Sequence, residues 1–193
     1  MEKKGYIYIT GTGTDPGLLD NLNDPIFGDD PSLGACMPNI RRFVRKGDAI
    51  FVVSGSAVGV QQYVVGVMEV AEKITALEAF NRFPQHRLRI GDDNLLKGNI
   101  IVSPDGTQHP LDRHKAETFD ERVKNYIVGT NAIALETPEE VGLGRQQSLV
   151  KLGDIFGKPG NRAIDIFGRW AKLDGDQVKN LVAWLEGIKR DAA

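Results

Sequence analysis

Cys36-Met-Pro-Asn-Ile-Arg-Arg-Phe-Val-Arg-Lys-Gly-Asp-Ala-Ile-Phe-Val-Val-Ser-Gly-Ser56 is the stretch whose reading decides the fold. Pro38 suits the first turn of a helix, where its missing N–H leaves nothing unpaired. Ile40, Phe43 and Val44 recur at helical spacing and give one apolar face. Gly47 is placed to end that helix in the left-handed conformation. Asp48 then leads into Ala49-Ile-Phe-Val-Val53, a short run of strand formers that reads as a buried strand. Ser54-Gly55-Ser56 closes it with small polar residues. The other helix face carries Arg41, Arg42, Arg45 and Lys46. A basic helix running into a core strand with a small-residue rim suits an anion or nucleic-acid site. Cations in a last helical turn also stabilise the helix through its dipole, which is the plain reading of Arg45 and Lys46.

Working outward, Gly5–Thr10 alternates and reads as the first strand. Residues 11–37 form a long acidic loop with Asp15, Asp20, Asp24, Asp29 and Asp30, suited to solvation, to clamping the basic helix, or to weak cation binding. Gly11-Thr-Gly13-Thr-Asp-Pro-Gly17 follows a strand, but the late third glycine and Pro16 exclude a dinucleotide fingerprint. Gln61–Ile74 reads as a strand antiparallel to 49–53. Thr75 and Glu78 form a capping box for a short helix closed by Pro84. His86–Ile90 reads as a strand with a basic face, and Gly91–Asn94 as a turn. Residues 99–110 read as a hairpin around Pro104-Asp105-Gly106. Residues 112–124 are polar and partly helical, and 126–128 and 132–136 are strand-like. Val141–Gln147 reads as a glycine-bearing loop. The last helix, 175–190, is capped by Asp174 or Asp176 and carries Val178, Leu181, Val182, Leu185 and Ile188 in one stripe.

The chain has 193 residues, 41% hydrophobic and 26% charged, with a formal net charge of −2. That is a globular composition, and it excludes wholesale phosphate binding by a basic surface. The single cysteine, Cys36, excludes an internal disulfide and fits a reducing cytosol. No run reaches the length of a membrane helix. The expected fold is mixed α/β of the α+β type: one domain over 1–193 around a small bent or closed, mostly antiparallel sheet, with packed short helices and the C-terminal helix.

The segment Cys36-Met-Pro-Asn-Ile-Arg-Arg42, followed by Lys46-Gly47-Asp48 and Ser54-Gly55-Ser56, resembles the nucleotide modification associated domain, type 2. In that family a Cys-x-Pro-x-Ile-Arg-Arg segment precedes a Gly-Asp strand ending in Gly and Ser. Gly91-Asp-Asp-Asn94, Asp105-Gly106 with His109, and Ile155-Phe-Gly157 follow in the expected order, so the likeness covers most of the chain. The arrangement also resembles the wider PUA-like group with its EVE, YTH and ASCH domains. The resemblance implies a small β-barrel, a pocket beside it that accepts a flipped modified base, and a prokaryotic or phage DNA-modification context in the cytoplasm.

A base pocket needs a stacking surface, edge-reading polar groups and a cation for phosphate. Tyr6, Tyr8 and Phe27 are candidates to stack, Asn39, Ser54, Ser56 and Asp93 to read an edge, and Arg41 and Arg42 to hold a phosphate. The partner is then nucleic acid or a modified nucleotide, with no membrane, no cofactor, no metal and no catalytic residue, and with further protein partners in a modification system. Two alternatives stay open. A hydrolase or glycosylase acting on a modified nucleotide would draw on His86, His109 and His114 with Asp112. A protein-binding scaffold would use the terminal helix.

Overall fold

Two short apolar runs, Gly5–Ile9 and Ala49–Val53, are buried along their whole length in the computed structural model, which describes residues 4–19 and 22–193. Burial on both faces is the signature of parallel pairing, and these strands do pair in parallel, Tyr6 opposite Ile50 and Tyr8 opposite Val52. In chain order the elements are β1 Gly5–Ile9, β2 Ser32–Leu33, α1 Pro38–Phe43, β3 Ala49–Val53, β4 Val64–Ile74, α2 Ala76–Arg82, β5 Arg89–Ile90 and β6 Leu96–Lys97. There follow α3 Phe119–Val123, β7 Tyr126–Ala134, α4 Pro138–Phe156, α5 Ala163–Phe167, β8 Trp170–Leu173 and α6 Gly175–Asp191. The chain is mixed α/β, as its patterning implies.

The chain divides into two compact units assembled from separated stretches. The first holds residues 1–21, 47–69 and 131–193; the second holds 22–46 and 70–130. In the first, β1 lies between β3 and an antiparallel β8, and β3 pairs antiparallel with the start of β4. The register of β3 and β4 shifts between Val52 and Val53, and Ser148 Oγ of α4 accepts the Val64 N–H there at 2.9 Å. α6 packs on β1 at Gly5, where a Cβ would lie 2.6 Å from Val178 Cγ2. In the second unit β2 pairs antiparallel with β7, Ser32 opposite Val128. Its core gathers Ile74, Ala76, Ala79, Ile100, Val102 and Tyr126. The strand order is linear in each unit, so the closed barrel implied by the resemblance is not formed by these pairings. Among the described residues, no helix is long and apolar enough to cross a membrane.

Several sequence expectations change here for identifiable reasons. Strands β1 and β3 are parallel, so the long loop between them is part of a crossover, which parallel strands require. α1 ends at Phe43 because Val44 is extended; Gly47, at φ 89°, belongs to the turn before β3. Residues 141–147 are the interior of α4, not a loop. That helix begins on a capping box between Thr137 and Glu140 and stops at left-handed Gly157. Its Gly144 lets Leu135 and Tyr63 approach: a Cβ there would sit 2.7 Å from Leu135 Cδ1. The capping box of α2 and the Asp174 cap of α6 form as expected.

Gly55 shows what the small-residue rim does. Its N–H donates to Thr14 at 2.8 Å, and a Cβ on it would fall 1.9 Å from the Gly11 carbonyl oxygen. Gly55→Ala therefore displaces the 11–14 loop. We expect a loss of about 2 kcal/mol or more, seen as a lower denaturant midpoint at unchanged m.

Candidate functional site

The segment after β2, Gly34 to Cys36, is held from both sides of its backbone. On the N–H side, the Asp24 carboxylate accepts from Gly34 at 2.7 Å, from Ala35 at 2.8 Å and from Cys36. On the carbonyl side stands Arg41, wholly buried. Its Nε donates to Cys36 O at 2.8 Å and its Nη2 to Ala35 O at 3.0 Å. Its Nη1 donates to the carbonyls of Arg122 at 2.9 Å and Asn125 at 2.7 Å. Arg122 adds a bond from Nη1 to Ala35 O at 2.7 Å. A buried guanidinium is tolerable only when its fork of donors is matched in this way. Between the two clamps Met37 adopts a left-handed φ of 49°, rare for a residue with a side chain, and Pro38 starts α1. Burial, reinforced by Asp24, pushes the Cys36 thiol well above the ordinary thiol range, which disfavours its thiolate.

Behind this segment lies a buried polar network. Asn99 Nδ2 donates to Asp24 Oδ1 and to Ser32 Oγ, each at 3.0 Å. The Tyr126 hydroxyl donates to Asn99 Oδ1 at 2.8 Å. His86 Nδ1 lies 3.3 Å from Ser32 Oγ and 3.2 Å from the Tyr126 hydroxyl. Phe83 stacks on both rings, with centroids at 5.7 and 6.4 Å. Burial lowers the His86 imidazole below its ordinary value and raises the Tyr126 phenol above its own. Both rings are therefore neutral parts of the core near neutral pH.

The sequence-predicted residues divide between the units. Tyr6, Tyr8, Ser54 and Ser56 belong to the first, and Asn39, Arg41, Arg42 and Asp93 to the second. Tyr6 and Tyr8 are buried strand residues of β1, not exposed stacking rings. Ser54 is buried: its hydroxyl accepts the Tyr63 N–H and its carbonyl accepts Gln62 Nε2. Ser56 is exposed, and its carbonyl accepts the Gly13 N–H. Asp93 is an exposed turn residue. Its Oδ1 accepts the Leu95 N–H at 3.0 Å and its Oδ2 pairs with Lys97 at 3.0 Å, and these bonds hold its carboxyl below the usual range. Arg41 is internal and cannot reach a phosphate from where it lies. Arg42 is exposed, with its guanidinium 4.8 Å over the centroid of the Phe43 ring, itself 43% exposed. Asn39 is half-buried on α1.

The acidic loop is built, not merely solvated. Asp15, 1% exposed, pairs with Arg145 through both oxygens, at 2.7 and 3.0 Å. Asp24 is the clamp above, and Asp30 accepts from Gln85 Nε2 at 2.8 Å. Asp20 lies outside the described residues. Among the described residues no group of three or more His, Cys, Asp or Glu side chains is placed to hold a metal. Sequence reasoning missed Asn99 and Arg122. Neither signals this role locally, because Asp24 and Ser32 for Asn99, and Ala35 for Arg122, lie far away in the chain. Comparison with family models, with curated proteins and with solved structures gives no match.

Two outcomes follow. Arg41→Leu takes the donor from the carbonyls of Cys36, Arg122 and Asn125, leaves a cavity in place of a buried guanidinium, and costs about 3 kcal/mol or more, whereas Arg42→Ala stays within about 0.5 kcal/mol of wild type in the same urea titration. The second concerns pH. Because burial depresses the His86 imidazole, the unfolded chain takes up a proton, at its ordinary value of about 6.5, that the folded chain refuses. Stability is thus held above that pH and falls as pH drops below it, by at most about 1.4 kcal/mol per pH unit. Denaturant midpoints at about pH 7.5 and about pH 5.5 check this, and His86→Asn should flatten the difference.

Proposed function

We propose that the chain is a nucleic-acid or nucleotide binding module of the PUA-like group, recognising a modified base in a DNA-modification or defence setting. The observation that carries the reading is the exposed surface of α1 and the turn after it. Arg42 lies over the exposed Phe43 ring, and Arg45 and Lys46 stand exposed directly beyond. A solvent-facing aromatic is a platform for a base, and a guanidinium stacked upon it can turn its donors to the adjoining phosphate. Lys73 Nζ donates to the Arg42 carbonyl at 3.0 Å and brings a further cation to the same surface. The charge distribution supports the placement. The second unit carries 13 Lys and Arg against 12 carboxylates, and the first 11 against 14.

The finer part of the reading, a barrel-side pocket for a flipped base, is supported by the Cys36–Arg42 spacing and not by the strand pairing. In this reading Arg42 and Phe43 make the contact, and Arg41 holds the segment that presents them. Binding of short oligonucleotides with modified and unmodified bases tests it. Affinity should drop steeply between about 50 and about 200 mM salt. Arg42→Ala and Phe43→Ala should each weaken it by about tenfold, within the range of one stacking or phosphate contact. Preference for a modified base identifies a reader. Binding that ignores both substitutions sinks the α1 surface as the site, and binding blind to modification sinks the reader.

A further inference from the structure

We propose that the loop from Gln108 to Lys115 is a general-base site that cleaves RNA, with His114 as its catalytic residue and Asp112 as a positioning residue. The site shares no residue with the α1 surface and does not rest on the binding reading. The Asp112 side chain is 2% exposed and collects three donors. His114 Nδ1 lies 2.6 Å and the His114 N–H 3.2 Å from Oδ1, and Gln108 Nε2 lies 2.8 Å from Oδ2. A carboxylate only accepts, so Nδ1 carries the ring proton and the imidazole lone pair sits on Nε2. Gln108 also donates to the His114 carbonyl at 2.9 Å, fixing the backbone from which the ring hangs. The His114 side chain is 32% exposed. Its Nδ1 faces the buried carboxylate, and Nε2 is the ring nitrogen left to meet a substrate. This is the carboxylate–imidazole half of a hydrolytic triad.

The surroundings narrow the substrate. No hydroxyl or thiol is hydrogen-bonded to His114 among the described residues, so the nucleophile is water or a group of the substrate itself. Arg113 and Lys115, the neighbours of His114 in the chain, are both exposed, and their cations favour a phosphate. His109 stands in the same turn, closed by the Asp112 N–H on its carbonyl at 2.8 Å. Its Nδ1 accepts the Leu111 N–H at 3.2 Å, which leaves the proton on Nε2 as a neutral donor. An RNA phosphodiester has a 2′-hydroxyl beside its phosphorus; DNA does not. His114 Nε2 takes the proton from O2′, the O2′–P bond forms and the P–O5′ bond breaks. O5′ takes a proton from water, and the imidazolium returns its proton to the hydroxide so formed. The products are a 2′,3′-cyclic phosphate and a 5′-hydroxyl, with no further reactant.

The test is incubation of the full chain with an end-labelled RNA, its 2′-O-methyl counterpart and the matching DNA, with a chelator present to silence metal-dependent nucleases. RNA alone should be cut, and mass spectrometry should find the cyclic phosphate. His114→Ala should lower the rate by about 10²- to 10⁴-fold. Asp112→Asn should slow cleavage, displace its pH–rate profile and move the His114 ring proton from Nδ1 to Nε2 in nitrogen NMR. No cleavage by folded wild type overturns the proposal, as does cleavage that survives His114→Ala or that extends to DNA or 2′-O-methyl RNA. Should Asp112→Asn fail to fold, His114→Ala and His114→Gln, at a partly exposed ring, still decide it.

Discussion

A buried guanidinium and a carboxylate grip opposite sides of one short piece of backbone, and the second unit is arranged around that grip. Arg41 and Asp24 together satisfy the amides of residues 34–36 and the carbonyls of Ala35 and Cys36. The buried Arg41 charge is not tolerable alone, because an uncompensated buried ion costs several kcal/mol. Several peptide groups stabilise each: carbonyls around the guanidinium and N–H groups around the carboxylate. The same Arg41 draws in the carbonyls of Arg122 and Asn125. Two residues beyond the grip α1 begins, so the exposed pair Arg42 and Phe43 inherits a fixed position. A buried residue thereby orients the exposed surface beside it.

The first unit is anchored by a related device. Asp15 and Arg145 form a bidentate pair, Arg145 also donates to the Gln61 carbonyl at 2.6 Å, and its guanidinium lies 4.8 Å from the Tyr63 ring centroid. Burial, with Asp15 adding to it, pushes the Tyr63 phenol up to about 12. Thus two carboxylates of one polar loop serve as internal anchors, one in each unit. The loop is long because β1 and β3 run parallel and the chain must cross over between them. Asp15, Asp24 and Asp30 tie its described residues to the rest of their own units.

Much of the fold was legible locally. The strand at 49–53, the capping box at Thr75 and Glu78, and the amphipathic α6 behind Asp174 all declare themselves through nearest-neighbour chemistry. α4 did not, because glycines at 142, 144 and 153 imitate a loop, and only the closeness of Leu135 and Tyr63 to Gly144 explains one of them. Parallel pairing of β1 with β3 was hidden for the same kind of reason, since a crossover without a long helix lacks the usual βαβ rhythm. The site was half legible. The Cys36–Arg42 spacing drew attention to a segment whose backbone proves to be clamped, yet adjacent arginines look alike in sequence while one is buried and the other stacked on an exposed ring. Asp112 and His114 stand two apart in a polar loop, and only the fold shows that they meet.

Amide hydrogen exchange at Gly34, Ala35 and Cys36 tests the grip most directly. With Asp24 and Arg41 in place, these three amides should exchange only through opening of the second unit, as slowly as core amides such as Ile127. Exchange as fast as in the exposed turn around Asp92 and Asp93 would mean that the carboxylate does not hold the segment, and the separation of Arg41 from Arg42 would lose its physical basis.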